Sequence, residues 1–221
     1  MSSVGALSFS GIKTFETCPH KFYRLKVAKD VKEDFSHPAA QWGNEVHKAL
    51  EHYLTAKRPL GERFKAYQEY ASRLDQIEGD RFVELRLAIT DDGEVCSFFD
   101  RQAAHRGVLD YLVIRDDKKE AILIDHKTGK VRPTKQLHYN ALMVFAAFPR
   151  VQILKAAFYW LPADTYTKHT FHRSEIDDIW DEFEKPLVGI EECAESGEWP
   201  RKQSPLCGWC PVYDCPFNTA R

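Results

Sequence analysis

Short apolar runs separated by compact polar turns fill the middle of the chain and predict paired strands. Residues 81–90 (RFVELRLAIT) and 94–99 flank the turn signal DDG. Residues 108–114 and 120–126 flank DDKKE, and residues 151–160 and 165–172 flank LPAD. Elsewhere the apolar positions recur at helical spacing. Residues 38–57 begin with Pro38, which suits a first helical turn, and align Val46, Ala49, Leu50, Tyr53 and Leu54 in one stripe. A second helix is expected over 61–77, and a third opens at Pro133 and runs to about Phe148. The segment 174–195 reads as an acidic amphipathic helix, with Ile176, Ile179, Trp180, Phe183, Leu187 and Ile190 apolar and Pro186 able to kink or divide it. Serines cap a short helix near 10–17, and Pro19 sharpens its exit. Strands interleaved with helices predict an α/β fold, a mixed β-sheet flanked by helices, rather than a sandwich or a bundle.

The hairpin across DDKKE carries chemistry as well as structure. With a turn symmetric about Asp117 and Lys118, Asp110 faces Asp125 on one side of the sheet, and Lys127 shares that side by period-two alternation. A slip of one residue would destroy the convergence. Two facing carboxylates repel unless one is protonated or a cation lies between them. Such oxygen ligands suit Mg2+ or Mn2+, and the lysine can orient a water or balance charge on a phosphate. Strand-end charges on a surface hairpin are the plainer reading, but both aspartates interrupt apolar runs, where unpaired charge is costly.

Other segments converge on that face. His47 lies beside the apolar stripe of its helix, one turn after Gly43, whose missing side chain permits the close approach of another element. Glu84 can reach the sheet edge, although an exposed strand glutamate explains it equally. The third helix offers a polar face of Lys135, Gln136, Tyr139 and Asn140, on which Gln136 and Tyr139 are three residues apart and look in one direction.

Composition narrows the class. The 221 residues, 43% hydrophobic and 29% charged, suffice for one substantial core with a small accessory lobe. With no long apolar span and no signal-like start, a soluble cytoplasmic protein without membrane contact is expected. The net charge of −2 gives no global argument for nucleic acid, yet residues 161–200 hold −8 of it, leaving +6 on the remainder. The basic stretch around Phe22 and Tyr23 is compatible with a nucleic-acid backbone and stacked bases, or with a solvated face. Six cysteines stand at 18, 96, 193, 207, 210 and 215. Cys207, Cys210 and Cys215 form a compact set of soft ligands that needs a fourth. Cys18 leads because its Cys-Pro setting matches those of Cys210 and Cys215, while Cys193 is nearer in sequence. Zinc and a [4Fe–4S] cluster both fit such a set.

In order and spacing, CPHKFY with Cys18, GNEVH ending at His47, GVLD ending at Asp110, IDHKTG with Asp125 and Lys127, QLHY from Gln136 to Tyr139, and the terminal cysteines form one pattern. From about Ser8 to Phe217 the chain resembles the RecB-like branch of the PD-(D/E)XK nuclease superfamily, above all its Cas4-like and AddB-like iron–sulfur exonucleases. The resemblance implies a restriction-endonuclease-like core and an iron–sulfur lobe joining the two terminal regions. In that arrangement 1–221 is a single nuclease domain, with 8–30 and 193–217 forming the lobe around a 38–172 catalytic core. It further implies that His47, Asp110, Asp125 and the backbone carbonyl of His126 hold Mn2+ or Mg2+. Lys127 positions the attacking water, Gln136 and Tyr139 assist at the substrate side, and Cys18, Cys207, Cys210 and Cys215 ligate a [4Fe–4S] cluster. Tyr139 follows Gln136 at a shorter interval than in many relatives. The implied activity is single-stranded DNA exonuclease cleavage including the 5′-to-3′ direction. A structure-selective endonuclease and a catalytically weak DNA-binding or assembly module are the alternatives. A CRISPR integrase, a recombination or helicase partner, and a homo-oligomer belong to the same implication. No GxxxxGK[ST] loop is present, so the chain itself is not an ATP-driven helicase.

Overall fold

The computed structural model describes residues 4–33 and 37–219. In chain order the strands are β1 (Leu7–Ser8), β2 (Asp80–Ile89), β3 (Val95–Cys96), β4 (His105–Arg115), β5 (Glu120–Lys127), β6 (Ile153–Trp160) and β7 (Thr165–His172). The helices are α1 (Phe9–Thr17), α2 (Pro19–Phe22), α3 (Pro38–Ala56), α4 (Gln68–Asp75), α5 (Gln136–Ala147) and α6 (Ile176–Ser196). The chain divides into two compact units. One is drawn from residues 4–33, 88–106 and 178–219, the other from 37–87 and 107–177. Residues 8–30 and 193–217 both fall in the first, which also takes the 88–106 segment and most of α6.

The second unit is a mixed sheet in the order β2-β4-β5-β6-β7, flanked by helices. The β4–β5 hairpin has the alignment expected from its turn, with pairs from Tyr111–Ile124 to Arg115–Glu120. β5 and β6 run parallel, and β6 returns antiparallel into β7. Alternation sorts the side chains. Val46, Leu50 and Leu54 of α3 and Tyr70, Ala71 and Leu74 of α4 pack on Tyr111, Val113, Ile124 and Tyr159 of the sheet. Helix α5 lies on the opposite face, where the His138 ring meets Phe171 of β7 edge-on at 4.9 Å. The Arg173 guanidinium closes the C-terminal end of α5, donating to the carbonyls of Phe145 (2.9 Å) and Phe148 (2.7 Å).

The first unit is built around α1, α2 and α6. Ser8 caps α1 by accepting from Gly11 N–H at 3.2 Å. Val4, Phe15, Phe22 and Ile190 form a core that Trp199 completes, its ring 5.8 Å from Phe22 and stacked on Tyr23 at 5.5 Å. A Cβ on Gly189 would lie 3.1 Å from the Phe15 ring, so α6 meets α1 closely there. β1 runs parallel to His105–Arg106, and β3 pairs antiparallel with Ala88–Ile89.

Several boundaries differ from the sequence reading. The third helix starts at Gln136 rather than Pro133, because the Thr134 hydroxyl accepts the Gln136 N–H at 3.3 Å and sets the entry. Pro19 opens α2 instead of only ending α1: Cys18 is extended and Pro19 takes the first helical position, where no N–H is needed. The 61–77 helix divides into a 3-10 segment, Glu62–Tyr67, followed by α4. Strand 94–99 contracts to Val95–Cys96, since a turn closes from Asp100 N–H to the Ser97 carbonyl at 2.8 Å. Pro186 sits inside α6 without dividing it. No helix among the described residues is long and apolar enough to cross a membrane.

His105 gives a check on the first unit. It is buried beside the Trp180 ring, and burial pushes its pKa down to about 4, with Asp91 pulling weakly upward. An imidazole that stays neutral when folded but titrates at its ordinary value when unfolded stabilises fully above about pH 6.5, and that stability is lost as pH falls towards 4. Wild type should therefore lose roughly 3 kcal/mol more than His105→Gln between pH 6.5 and 4 in denaturant titrations.

Candidate active site

Five segments of the second unit converge at the C-terminal end of β5. Asp110 and Asp125 come from the two strands of the hairpin and are 9% and 3% exposed, despite their charge. The backbone of His126 lies between Asp110 and His47. Its N–H donates to Asp110 Oδ2 at 2.7 Å, and its carbonyl is held by His47 Nε2 at 3.0 Å. The carbonyl that the family resemblance implies as a metal ligand is thus engaged by the histidine. The His126 side chain points the other way, as alternation requires, and its Nδ1 shares a 2.6 Å hydrogen bond with the hydroxyl of Tyr70 on α4. Burial pushes His126 down to about 4, so its ring is neutral at physiological pH.

His47 arrives on α3, and Gly43 explains how. A Cβ on that glycine would lie 3.2 Å from Thr128 Oγ1, just past the end of β5, so a larger residue would push helix and strand apart. One turn later His47 Nδ1 stands 3.5 Å from Asp110 Oδ2 and 3.8 Å from Glu84 Oε1. Burial lowers the histidine's pKa, but the bonds to Asp110 and Glu84 prevail and raise it to about 10. Burial pushes Asp110 up, yet His47 and the His126 N–H hold it below the ordinary carboxylate range. Asp125 is driven the opposite way, to about 7, by burial and then by the facing Asp110 charge, against the pull of Lys127. Of the two carboxylates, Asp125 is thus the one that takes up a proton as pH falls below about 7, while Asp110 stays ionised.

Lys127 reaches back along β5. Its Nζ lies 2.6 Å from Asp125 Oδ1, donates to Gln136 Oε1 at 2.8 Å and sits 5.1 Å above the Phe158 ring. Gln136, the first residue of α5, also donates to Asp125 Oδ2 at 2.8 Å, so one amide fixes both the lysine and the carboxylate. Tyr139 and Asn140, on the polar face of α5, are both buried. A twelve-residue helix covered on most sides leaves only its first turn for polar work.

Glu84 is the residue that pattern reading undervalued. Its carboxylate joins His47 and Asp110 in a group whose ligand atoms all lie within 4.8 Å of one another. It also adopts φ +50 in the middle of β2, a left-handed conformation rare for a non-glycine residue and concentrated at functional sites. Nothing in FVELRL announces that backbone. A carboxylate in a polar strand position looks the same whether it meets solvent or a metal.

The set of donors fits a hard divalent cation. Glu84, Asp110 and His47 converge, while Asp125 Oδ1 is buried and, although close to Lys127, finds no properly angled hydrogen bond among the described residues. The three converging groups offer oxygen and nitrogen ligands of the kind such a cation takes, and the Lys127 ammonium already faces Asp125 Oδ1 at 2.6 Å.

The terminal cysteines gather in the first unit. Cys18, Cys207, Cys210 and Cys215 line one cavity, together with Lys21, Arg201 and Lys202. Backbone N–H groups point at two of the sulfurs, Lys202 to Cys18 at 3.5 Å and Ser204 to Cys207 at 3.3 Å. Cys193 packs beside the Phe15–Phe22 core instead, and Cys96 is half-buried; all six cysteines are free.

A mixed sheet that brings paired carboxylates, a histidine and a lysine to one strand end defines a metal-dependent hydrolase site. The model of the PD-(D/E)XK nuclease superfamily matches residues 6–215, so the chain belongs to that superfamily, whose members are metal-dependent nucleases acting on DNA. Among solved structures, a Eubacterium rectale protein named "Putative exonuclease" is similar at 14% identity, covering 93% of this chain and 87% of that one with a TM-score of 0.54. SSO0001 is similar at 15% identity, covering 96% and 86%, with a TM-score of 0.46. No curated protein matches.

Metal binding to the folded chain should raise its stability by about 2.7 kcal/mol at a hundredfold excess over Kd. In Mn2+ titrations followed by thermal unfolding, Glu84→Gln should need more metal for the same shift, and Asp110→Ala should show none.

Proposed function

We propose that the chain is a Mg2+- or Mn2+-dependent exonuclease acting on single-stranded DNA, with 5′-to-3′ activity, and that its first unit holds a [4Fe–4S] cluster. The convergence of His47, Glu84 and Asp110, with the buried Asp125–Lys127 pair on the adjoining strand, is the observation that supports the catalytic part. His47, Glu84, Asp110 and Asp125 would hold the divalent ion, which supplies Lewis-acid stabilisation of charge on the scissile phosphate. Lys127 keeps its ammonium beside Asp125 through the Gln136 amide. There it can orient the attacking water and offset negative charge in the transition state. Gln136 acts by holding the lysine and carboxylate at fixed separation. Tyr139 supports α5 from within, so its role in substrate positioning is indirect.

Four cysteines around one cavity, with N–H groups aimed at sulfur, support the cluster, since such hydrogen bonds stabilise thiolate ligands and tune iron–sulfur centres. Polarity and strand preference rest on the sequence resemblance, as do an integrase or helicase partner and self-association.

The experiment is cleavage of end-labelled linear and circular single-stranded DNA with and without Mn2+. Linear DNA should be degraded only with metal, circles should survive, and Asp110→Ala should lower the rate by roughly 10²–10³-fold or more. Cleavage of circles would make the protein an endonuclease. DNA binding without metal-dependent cleavage of either substrate would make it a binding module. Anaerobic purification should give about four irons per chain, with Cys207→Ser losing them; zinc in their place would overturn the cluster assignment alone.

A further inference from the structure

The first unit contains a second cavity, whose charged lining residues are all cationic. It is bordered by the N-terminal segment, including Gly5 and Ser8, and by Lys26, Lys29 and Arg106. No carboxylate among the described residues lines it. Asp30, next to Lys29 in the chain, pairs with Arg24 at 2.8 Å, and the Asp100 carboxylate, next to Arg106 in space, accepts the Gln102 N–H at 2.9 Å. Lys26 and Lys29 have no ion-pair partner among the described residues. Three cations around one hollow repel one another, an arrangement that costs stability unless an anion offsets it.

Arg106 adds a more specific sign. Its guanidinium lies 5.5 and 5.8 Å above the Phe98 and Phe99 rings, and one Nη donates weakly to the Asp100 carbonyl at 3.3 Å. Its Nε–H is buried with no acceptor among the described residues. A buried charged donor left unmade is among the most expensive groups in a fold. The planar fork of Arg matches a phosphate, and Lys adds charge without demanding fixed geometry. The adjoining α1 turns its N-terminal end, capped by Ser8, towards the same segment, so its dipole also favours an anion.

We infer that the hollow between the N-terminal segment and Lys26, Lys29 and Arg106 is a phosphate-binding site, used for a backbone phosphate of a DNA strand. The DNA assignment rests on the nuclease reading, whereas the phosphate chemistry does not. A free phosphate group would use the same donors, and the two sources separate experimentally.

The test measures binding of a single-stranded oligonucleotide to the full chain in EDTA, across a series of NaCl concentrations, so that no cleavage enters. Lys26→Gln/Lys29→Gln alters exposed or half-buried side chains without ion-pair partners and should fold normally; Arg106→Gln is the second variant. Both should bind DNA about tenfold more weakly, and the slope of log K against log salt should fall by about 0.7 for the one phosphate lost. Inorganic phosphate should compete with DNA for wild type at matched ionic strength, and not for the variants. Phosphate binding to wild type that the variants lose, with an unchanged DNA slope, would assign the site to free phosphate and overturn its use by DNA. Unchanged affinity, slope and competition in both variants would overturn the site altogether. Mn2+-dependent hydrolysis of bis(4-nitrophenyl) phosphate, equal in wild type and the lysine variant, reports the metal site separately, so its absence would count against the nuclease reading and not against the phosphate site.

Discussion

One peptide unit ties the catalytic groups together. The N–H of His126 fixes Asp110 and its carbonyl fixes His47, so a strand from the hairpin and a helix from the opposite layer are registered through a single backbone. Backbone groups are stiffer than side chains, and using them as partners removes two rotamer searches from the assembly of the site. The His126 ring is then anchored from behind by Tyr70, which stacks face to face on Tyr159 at 3.8 Å. The packed aromatic layer under α4 thus reaches the acidic face through β5, connecting the hydrophobic core to the geometry of the ligands.

That arrangement keeps charges where an ordinary core would exclude them. Asp110 is tolerated because His47 and a backbone donor face it, and Asp125 because Lys127 and Gln136 surround it. Burial and the facing Asp110 charge still raise the pKa of Asp125 to about 7. A site held in this condition favours a cation over water, which is how a folded chain converts an electrostatic cost into metal affinity.

Much of this is legible in the sequence. The two apolar runs around DDKKE and their turn set the register, and the register placed Asp110, Asp125 and Lys127 on one face. Gly43 marked the close approach that lets His47 in. The reading stopped where a single residue departs from local rules. Glu84 takes a left-handed backbone that a glutamate does not advertise, so its entry into the ligand group was invisible. Spacing puts Tyr139 on the polar face of its helix, and it does not show how far packing covers that face, where Tyr139 and Asn140 are both buried. Boundaries moved where side chains bonded to the backbone, as Thr134 does at the start of α5.

The most direct test of the account is the coordination of Mn2+ in the folded chain, read by pulsed electron paramagnetic resonance at substoichiometric metal. One bound ion should show coupling to a single imidazole nitrogen, and His47→Gln should remove that coupling while Tyr139→Phe leaves it intact. An ion bound without nitrogen coupling, or coupling that survives the loss of His47, would contradict the assignment of this strand end as the metal centre.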